Sequence, residues 1–316
     1  MKNRMVIPHA PYLRAPKTTK EIMGDVCLSL VPVLLGTVYF WGVRALLLTA
    51  VSVFFCVLTE YLWEVLWRRQ VTIGDYSAVV TGLLLAFNMP VTVPWWVLAL
   101  AAVFSIGVVK QMFGGIGNNV VNPALMGRLF VMILWPASVM RYVLPGTAPV
   151  DSVSSATVLS FIKNGQKPVF SYWQMFLGDI PGSMGETCKL LLVVGFAYMC
   201  YKGVVNYRAA AAYLLTAVAI LFVLGGPDGL FTGDILGHLL SGGLLLGAFY
   251  MLTDYVFVSR GGRILYGVAA GAATALIRIY SRYPEGVCFG ILLANCLAGL
   301  LAEYYKKKHR VYGVRR

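Results

Sequence analysis

The residues of this chain best suited to chemistry lie in three places. A hydroxyl-rich stretch, Asp151-Ser152-Val153-Ser154-Ser155-Ala156-Thr157, sits in the one long polar segment, from about Tyr142 to Thr187. Read alone it is a solvated loop of small residues, although a loop this long in a compact fold is usually functional or disordered. Charged residues within apolar stretches form the second group, and each costs at least about 2–3 kcal/mol in hydrocarbon. Glu60 and Glu64 are one helical turn apart and so share a face, with Arg68 and Arg69 close by as interfacial ion-pair partners. Asp254 ends another apolar stretch, Glu285 opens a third, and Arg128, Arg278 and Arg282 could pair with these acids. His238 reads either as a proton relay or as a packed core histidine.

The third place is Gly114-Gly115-Ile116-Gly117-Asn118-Asn119-Val120. A dinucleotide-binding turn would need glycine where Val120 stands and a strand before it, and neither is present. The segment reads better as helix punctuation: Asn122 can cap a helix whose first residue is Pro123, and Tyr283-Pro284-Glu285 repeats the arrangement. Broken-helix ends of this kind present backbone amides or carbonyls to a bound group, while a plain loop-to-helix start is the competing reading. Six cysteines are scattered through apolar stretches and never form Cys-x-x-Cys, which argues against an iron–sulfur or zinc site in this chain.

The elements that must position these groups are membrane helices. With 59% hydrophobic and 12% charged residues and a mean hydropathy of +0.75, the composition excludes an ordinary soluble domain. Ten apolar segments lie near 26–43, 45–67, 76–89, 93–110, 124–140, 188–201, 204–224, 235–257, 264–280 and 286–304. The third spans only about 20 Å at 1.5 Å per residue, which suggests a half-helix or a re-entrant segment. Thr18 and Glu21 have capping-box spacing ahead of the first segment.

The segments come as two copies. Gly82-Leu83-Leu84-Leu85, Cys27, Gly42-Val43 and Pro123 recur 161 residues later, at 243–246, 188, 203–204 and 284. Five crossings per copy is an odd number, so the halves must be inverted relative to each other, with a working site between them near mid-bilayer. The net charge of +13 is concentrated at segment ends, a topology signal rather than a nucleic-acid footprint. Ten-crossing and eight-crossing arrangements both place most Lys and Arg inside, and discounting Lys163 and Lys167, deep in the long loop, favours ten.

The chain resembles the RnfD family, the flavin-bearing membrane subunits of the Rnf ion-translocating electron-transfer complex, which are relatives of NqrB in the sodium-pumping NADH:quinone reductase. The resemblance runs nearly end to end. It rests on Asp75-Tyr76-Ser77-Ala78 with Thr81-Gly82-Leu83-Leu84-Leu85-Ala86, Pro94-Trp95-Trp96, Lys110 to Asn118, Asn122 to Arg128, Pro181 to Glu186 and Tyr283 to Val287. It implies that the loop at 151–157 is a flavinylation signal and that Thr157 carries FMN through a phosphoester. Asp151, Ser154, Ser155 and Ala156 would be the signal's remaining residues, with Ser155 where the family usually has glycine. Asn118, Asn122 and Arg128 are further cofactor-binding candidates. Asp254, Glu285, Glu60 and Glu64 are candidates for an ion path, although the proline usual after Asp254 is replaced by Tyr255. The resemblance also leaves room for a second, noncovalent flavin (riboflavin or FMN).

The expectation is an all-α integral membrane protein of about ten transmembrane segments in two inverted five-helix repeats. Residues 1–25 form a cytoplasmic lead, 26–141 the first repeat, 142–187 an external flavinylation loop, 188–304 the second repeat and 305–316 a basic cytoplasmic tail. The implied role is a flavin-bearing electron relay, without a complete active site of its own, in a sodium- or proton-pumping ferredoxin:NAD oxidoreductase of a bacterial or archaeal cytoplasmic membrane. Its partners would be the other members of the Rnf complex (RnfA, RnfB, RnfC, RnfE and RnfG), a flavin transferase and the bilayer. The rivals are an NqrB-like component of a quinone reductase, which usually carries a longer N-terminal extension, a small-solute channel or transporter, and a scaffold.

Overall fold

The computed structural model describes residues 17–69, 71–117, 119–146, 157–166, 170–186, 188–226, 229–253, 262–281 and 285–298. Among these residues the secondary structure is helical, without strands. Asp151, Ser154, Ser155, Ala156, Asn118, Asp254 and Arg282 lie outside the described residues.

Helix α1 (Thr19–Leu66) opens with the predicted capping box: the Glu21 amide donates to Thr18 Oγ1 at 3.3 Å and the Thr18 amide to Glu21 Oε2 at 2.9 Å. It is two helices end to end, because Gly42 has φ 67° and ψ −162°. Gly203 holds the same place in the second copy, with φ 66°, between α8 (Lys189–Tyr201) and α9 (Tyr207–Leu224). A side chain at either position would meet the left-handed steric penalty, so the repeated glycine marks a repeated bend.

The other predicted segments also fall on helix. In the first copy they are α2 (Ser77–Phe87), α3 (Trp95–Val103) with the π-helix Phe104–Gln111, α4 (Pro123–Leu134) and α5 (Pro136–Val139). The polar loop holds α6 (Val158–Lys163) and α7 (Tyr172–Leu177). The second copy continues with α10 (Ile235–Leu240), α11 (Leu244–Leu246) running into the π-helix Gly247–Met251, α12 (Gly262–Tyr280) and α13 (Val287–Ala298). Among the described residues, three helices, α1, α9 and α12, are long and apolar enough to cross a bilayer. At 11 residues, about 16 Å, α2 has half-helix length. Its counterpart in the second copy is interrupted at Ser241-Gly242, where Gly242 has φ 62°.

Packing follows the rule for helices in lipid, where small residues permit close backbone approach. A Cβ on Gly267 or Gly271 of α12 would stand 2.4 Å from Ala209 O or 2.5 Å from Tyr213 O of α9. Large apolar side chains such as Leu35, Tyr39, Leu47 and Leu215 point outward, as a lipid-facing surface requires. Residues of both copies share one apolar core, including Leu85 and Phe87 from the first and Leu244 and Ile291 from the second.

Gly82 packs on the backbone of α1: its Cβ would lie 2.7 Å from Val53 Cα, and its carbonyl accepts from Ser52 Oγ at 2.8 Å. Gly82→Val should lower stability by about 1–3 kcal/mol, the cost of overpacking a filled contact. Gly24→Ala, which meets nothing within 4 Å, should be silent. Thermal unfolding in detergent checks both, and equal melting temperatures would contradict the packing described.

Candidate functional site

Asn122 starts the site. Its Oδ1 accepts from the amides of Ala124 (3.0 Å) and Leu125 (3.2 Å), with Pro123 as first helical residue, as the sequence suggested. Its side-chain amide donates to Met251 O at 3.4 Å, tying α4 to the second copy. The cap fixes the start of α4, and little more than a turn later Arg128 projects into the seam between the copies, 3% exposed.

Four groups surround the Arg128 guanidinium. It donates to Asn88 Oδ1 at 3.1 Å, Glu186 Oε1 at 3.4 Å, Tyr142 Oη at 3.4 Å and Glu285 Oε2. Glu186 is positioned by its own loop, whose Met184 and Gly185 amides donate to Met89 O (3.0 Å) and Phe87 O (2.9 Å) at the end of α2. On its other side, a Cβ at Gly243 would lie 2.6 Å from Glu186 Oε1, so the interrupted helix leaves room for this carboxyl. Lys189, buried at the start of α8, donates to Glu186 O and, at 3.2 Å, to Gly242 O. The lysine thus caps carbonyls exposed where the helix breaks.

Burial, and then the charge of Glu285, push the Glu186 carboxyl up to about 8. Burial opposes ionisation of Glu285 as well, but the Arg128 charge outweighs it and holds that carboxyl below its usual range. The negative charge of Glu285 is the second cause of the upward shift at Glu186, because two adjacent carboxylates resist ionising together.

Arg128, Tyr142, Glu186, Lys189 and Glu285 line a cavity of about 250 Å³. Met132, Val139, Met140, Leu159 and Ile180 supply apolar surface, and Thr157 lines the same cavity. Thr157 stands at the N-cap of α6 (φ −70°, ψ 151°), but its hydroxyl makes no capping bond. Val158 and Ile162 of α6, Met175 of α7 and Ile180 form a small separate core that holds α6 over the cavity. The volume falls just below the ~300–1,000 Å³ usual for small-molecule sites, and a largely apolar lining with a few charged groups matches their general make-up.

Of the candidates within the described residues, Thr157, Arg128 and Glu285 therefore meet at one cavity, and Asn122 sets the helix that supplies Arg128. Glu60 and Glu64 do not join them. Glu60 pairs with Lys110 at 2.6 Å and accepts from Gln111 Nε2 at 2.8 Å, while Glu64 accepts from the Thr72 amide at 3.0 Å and from its hydroxyl. The expected ion-pair partners, Arg68 and Arg69, are displaced by Lys110 because the π-helix brings that lysine against the buried face of α1. Lys110 also donates to Ser77 Oγ at 2.5 Å. His238 is buried beside Gly225, and its carbonyl accepts from Arg278 at 2.9 Å. Sequence reasoning missed Glu186, Lys189 and Tyr142, which lie at the ends of segments where charge is routine. The signal available was the repeat itself, since Leu28 is the first-copy counterpart of Lys189.

The model of the NQR2, RnfD, RnfE family matches residues 6–311. The D subunit of the Na(+)-translocating ferredoxin:NAD(+) oxidoreductase complex of Acetobacterium woodii is 39% identical, covering 98% of this chain and 96% of its own. The D subunit of the proton-translocating ferredoxin:NAD(+) oxidoreductase complex of Clostridium ljungdahlii is 36% identical over 96% and 95% of the two chains. The D subunit of an ion-translocating oxidoreductase complex of Escherichia coli is 31% identical over 98% and 99%. With the match covering nearly its whole length, the chain belongs to the NQR2, RnfD, RnfE family.

Proposed function

We propose that this chain is the RnfD-type electron carrier of an ion-translocating ferredoxin:NAD oxidoreductase, with FMN esterified to Thr157. The observation that carries the reading is that Thr157, whose hydroxyl makes no capping bond, lines a cavity that also takes charged residues from both copies. A phosphoester at Thr157 anchors the phosphate and leaves the ring free to enter the chamber. Arg128 and Lys189 would supply positive charge there, and Met132, Val139 and Ile180 an apolar bed. When bound, the flavin supplies reversible electron transfer, and the surrounding protein tunes its potential by polarity and hydrogen bonding. Electrons would arrive from one partner subunit and leave to another. A second, noncovalent flavin would take the inner cavity beside Ser77 and Asn122, which must widen from about 70 Å³ to admit a ring. Glu60 and Glu64, set apart from the flavin chamber, are the carboxylates we propose for the ion path.

Contacts between the copies support a two-fold relation between them, which an inverted repeat requires. Thr37 Oγ1 donates to Met184 O at 3.1 Å, and its counterpart Tyr198 donates to Asp25 at 3.1 Å, two residues from the counterpart of Met184. Cys288 Sγ meets Leu125 O at 3.4 Å, and exchanging the copies maps this pair to 286 and 127, almost onto itself. Contacts that return under exchange are those expected around a two-fold axis. The proposed topology has ten crossings, an external loop at 142–187 and both termini cytoplasmic, with 26–141 and 188–304 as the repeats.

Denatured wild-type chain should fluoresce as a flavoprotein in a gel, and Thr157→Val should be dark while still assembling. A fluorescent Thr157→Val band would place the linkage elsewhere and sink the assignment. A scaffold role predicts instead that this variant keeps full electron transfer. For the topology, Asn164→Cys in a chain lacking its six native cysteines should react with an impermeant maleimide from outside intact cells. Lys308→Cys should react only after permeabilisation, and the reverse pattern would contradict the orientation.

A further inference from the structure

The two copies share a fold but not their charges. Stepping 161 residues from Arg128, Lys189 and Glu285 leads to Phe289, Leu28 and Ala124. Only Glu186 keeps an acidic counterpart, Asp25, which pairs with Lys17 at 3.3 Å near the start of α1. The architecture can therefore be built without these charges. Their concentration in one cavity, at the desolvation cost of buried ions, needs a reason beyond folding.

Glu186 faces Arg128 from α4, Tyr142 from the loop after α5, Lys189 from α8, Arg278 from α12, and Glu285 and Cys288 around the start of α13. Two carboxyls and one shared guanidinium, with Lys189 adjacent, can hold a proton or release it while the geometry stays fixed. Resting on the assignment of a flavin to Thr157, we infer that the Glu186–Glu285 pair is the proton-binding element of this cavity, taking up one proton as the cofactor gains an electron. The electron comes from a partner subunit's one-electron carrier and the proton from the outer aqueous phase. Where Glu186 is ionised in the oxidised state, an O–H bond of hydronium in that phase breaks as an O–H bond forms on the Glu186 carboxylate, and the charge of the cavity is unchanged. When the electron leaves, the same O–H bond ionises and the proton returns.

The test uses the assembled complex in lipid nanodiscs. The midpoint potential of the Thr157-linked flavin should fall with rising pH on the alkaline side of about 8, approaching one proton per electron. Glu186→Gln, which keeps the side chain's shape, should make it independent of pH. Glu285→Gln should shift the pH range, and it serves in place of Glu186→Gln should that variant not assemble. In parallel, the infrared carbonyl band of a protonated carboxylic acid should titrate with pH in the wild-type chain and vanish in Glu186→Gln. An unchanged pH dependence of the potential in both variants would overturn the inference, as would an infrared band that survives Glu186→Gln. A chain that proves to carry no flavin defeats the proposed function instead, and the infrared titration still decides whether the pair holds a proton.

Discussion

One guanidinium shared by two carboxyls holds this molecule's working region together. Arg128 comes from the first copy, Glu186 from the loop between the copies and Glu285 from the second copy. Gly185 precedes Glu186, and its lack of a side chain lets the loop press against Phe87. Removing one partner from such a buried set costs about 3–5 kcal/mol, because the remaining charge is left without compensation. The charged contact thus joins three segments beside the cavity that Thr157 lines, together with the Asn122–Met251, Gly185–Phe87 and Cys288–Leu125 bonds. Asn122, Gly243 and Lys189 serve that arrangement by fixing the start of α4, clearing space for Glu186 and capping the interrupted helix.

The repeat explains why such a site can arise. Each copy supplies a bent pair of helices and a short helix, and residues of both copies share one apolar core. Within the first copy, Lys110, Ser77 and Glu60 form a compact polar cluster. The cavity that Thr157 lines carries Arg128, Lys189 and Glu285 at positions whose counterparts are uncharged.

Much of this was legible in the sequence. Apolar segments gave the helices, and the constant spacing of Gly42 with Gly203 marked the repeat, although the bend that the backbone shows as a positive φ at both glycines was not read from it. The Asn122-Pro123 step announced its cap, and Thr18 with Glu21 its capping box. The partner of Glu60 was not legible, because pairing it with Lys110 depends on a π-helix that shifts the lysine's face, and helical spacing on α1 favoured Arg68 and Arg69 instead. Glu186 and Lys189 escaped notice for a related reason. Charge at the end of an apolar segment is ordinary, and only tertiary packing turns these two inward.

The most direct test is an experimental density map of the assembled complex. Density continuous with Thr157 Oγ1 should run through a phosphate to a tricyclic ring lying in the chamber between Arg128 and Ile180. A bare Thr157 hydroxyl above a chamber filled by lipid or side chains, in a preparation matured with its flavin transferase, would contradict the account.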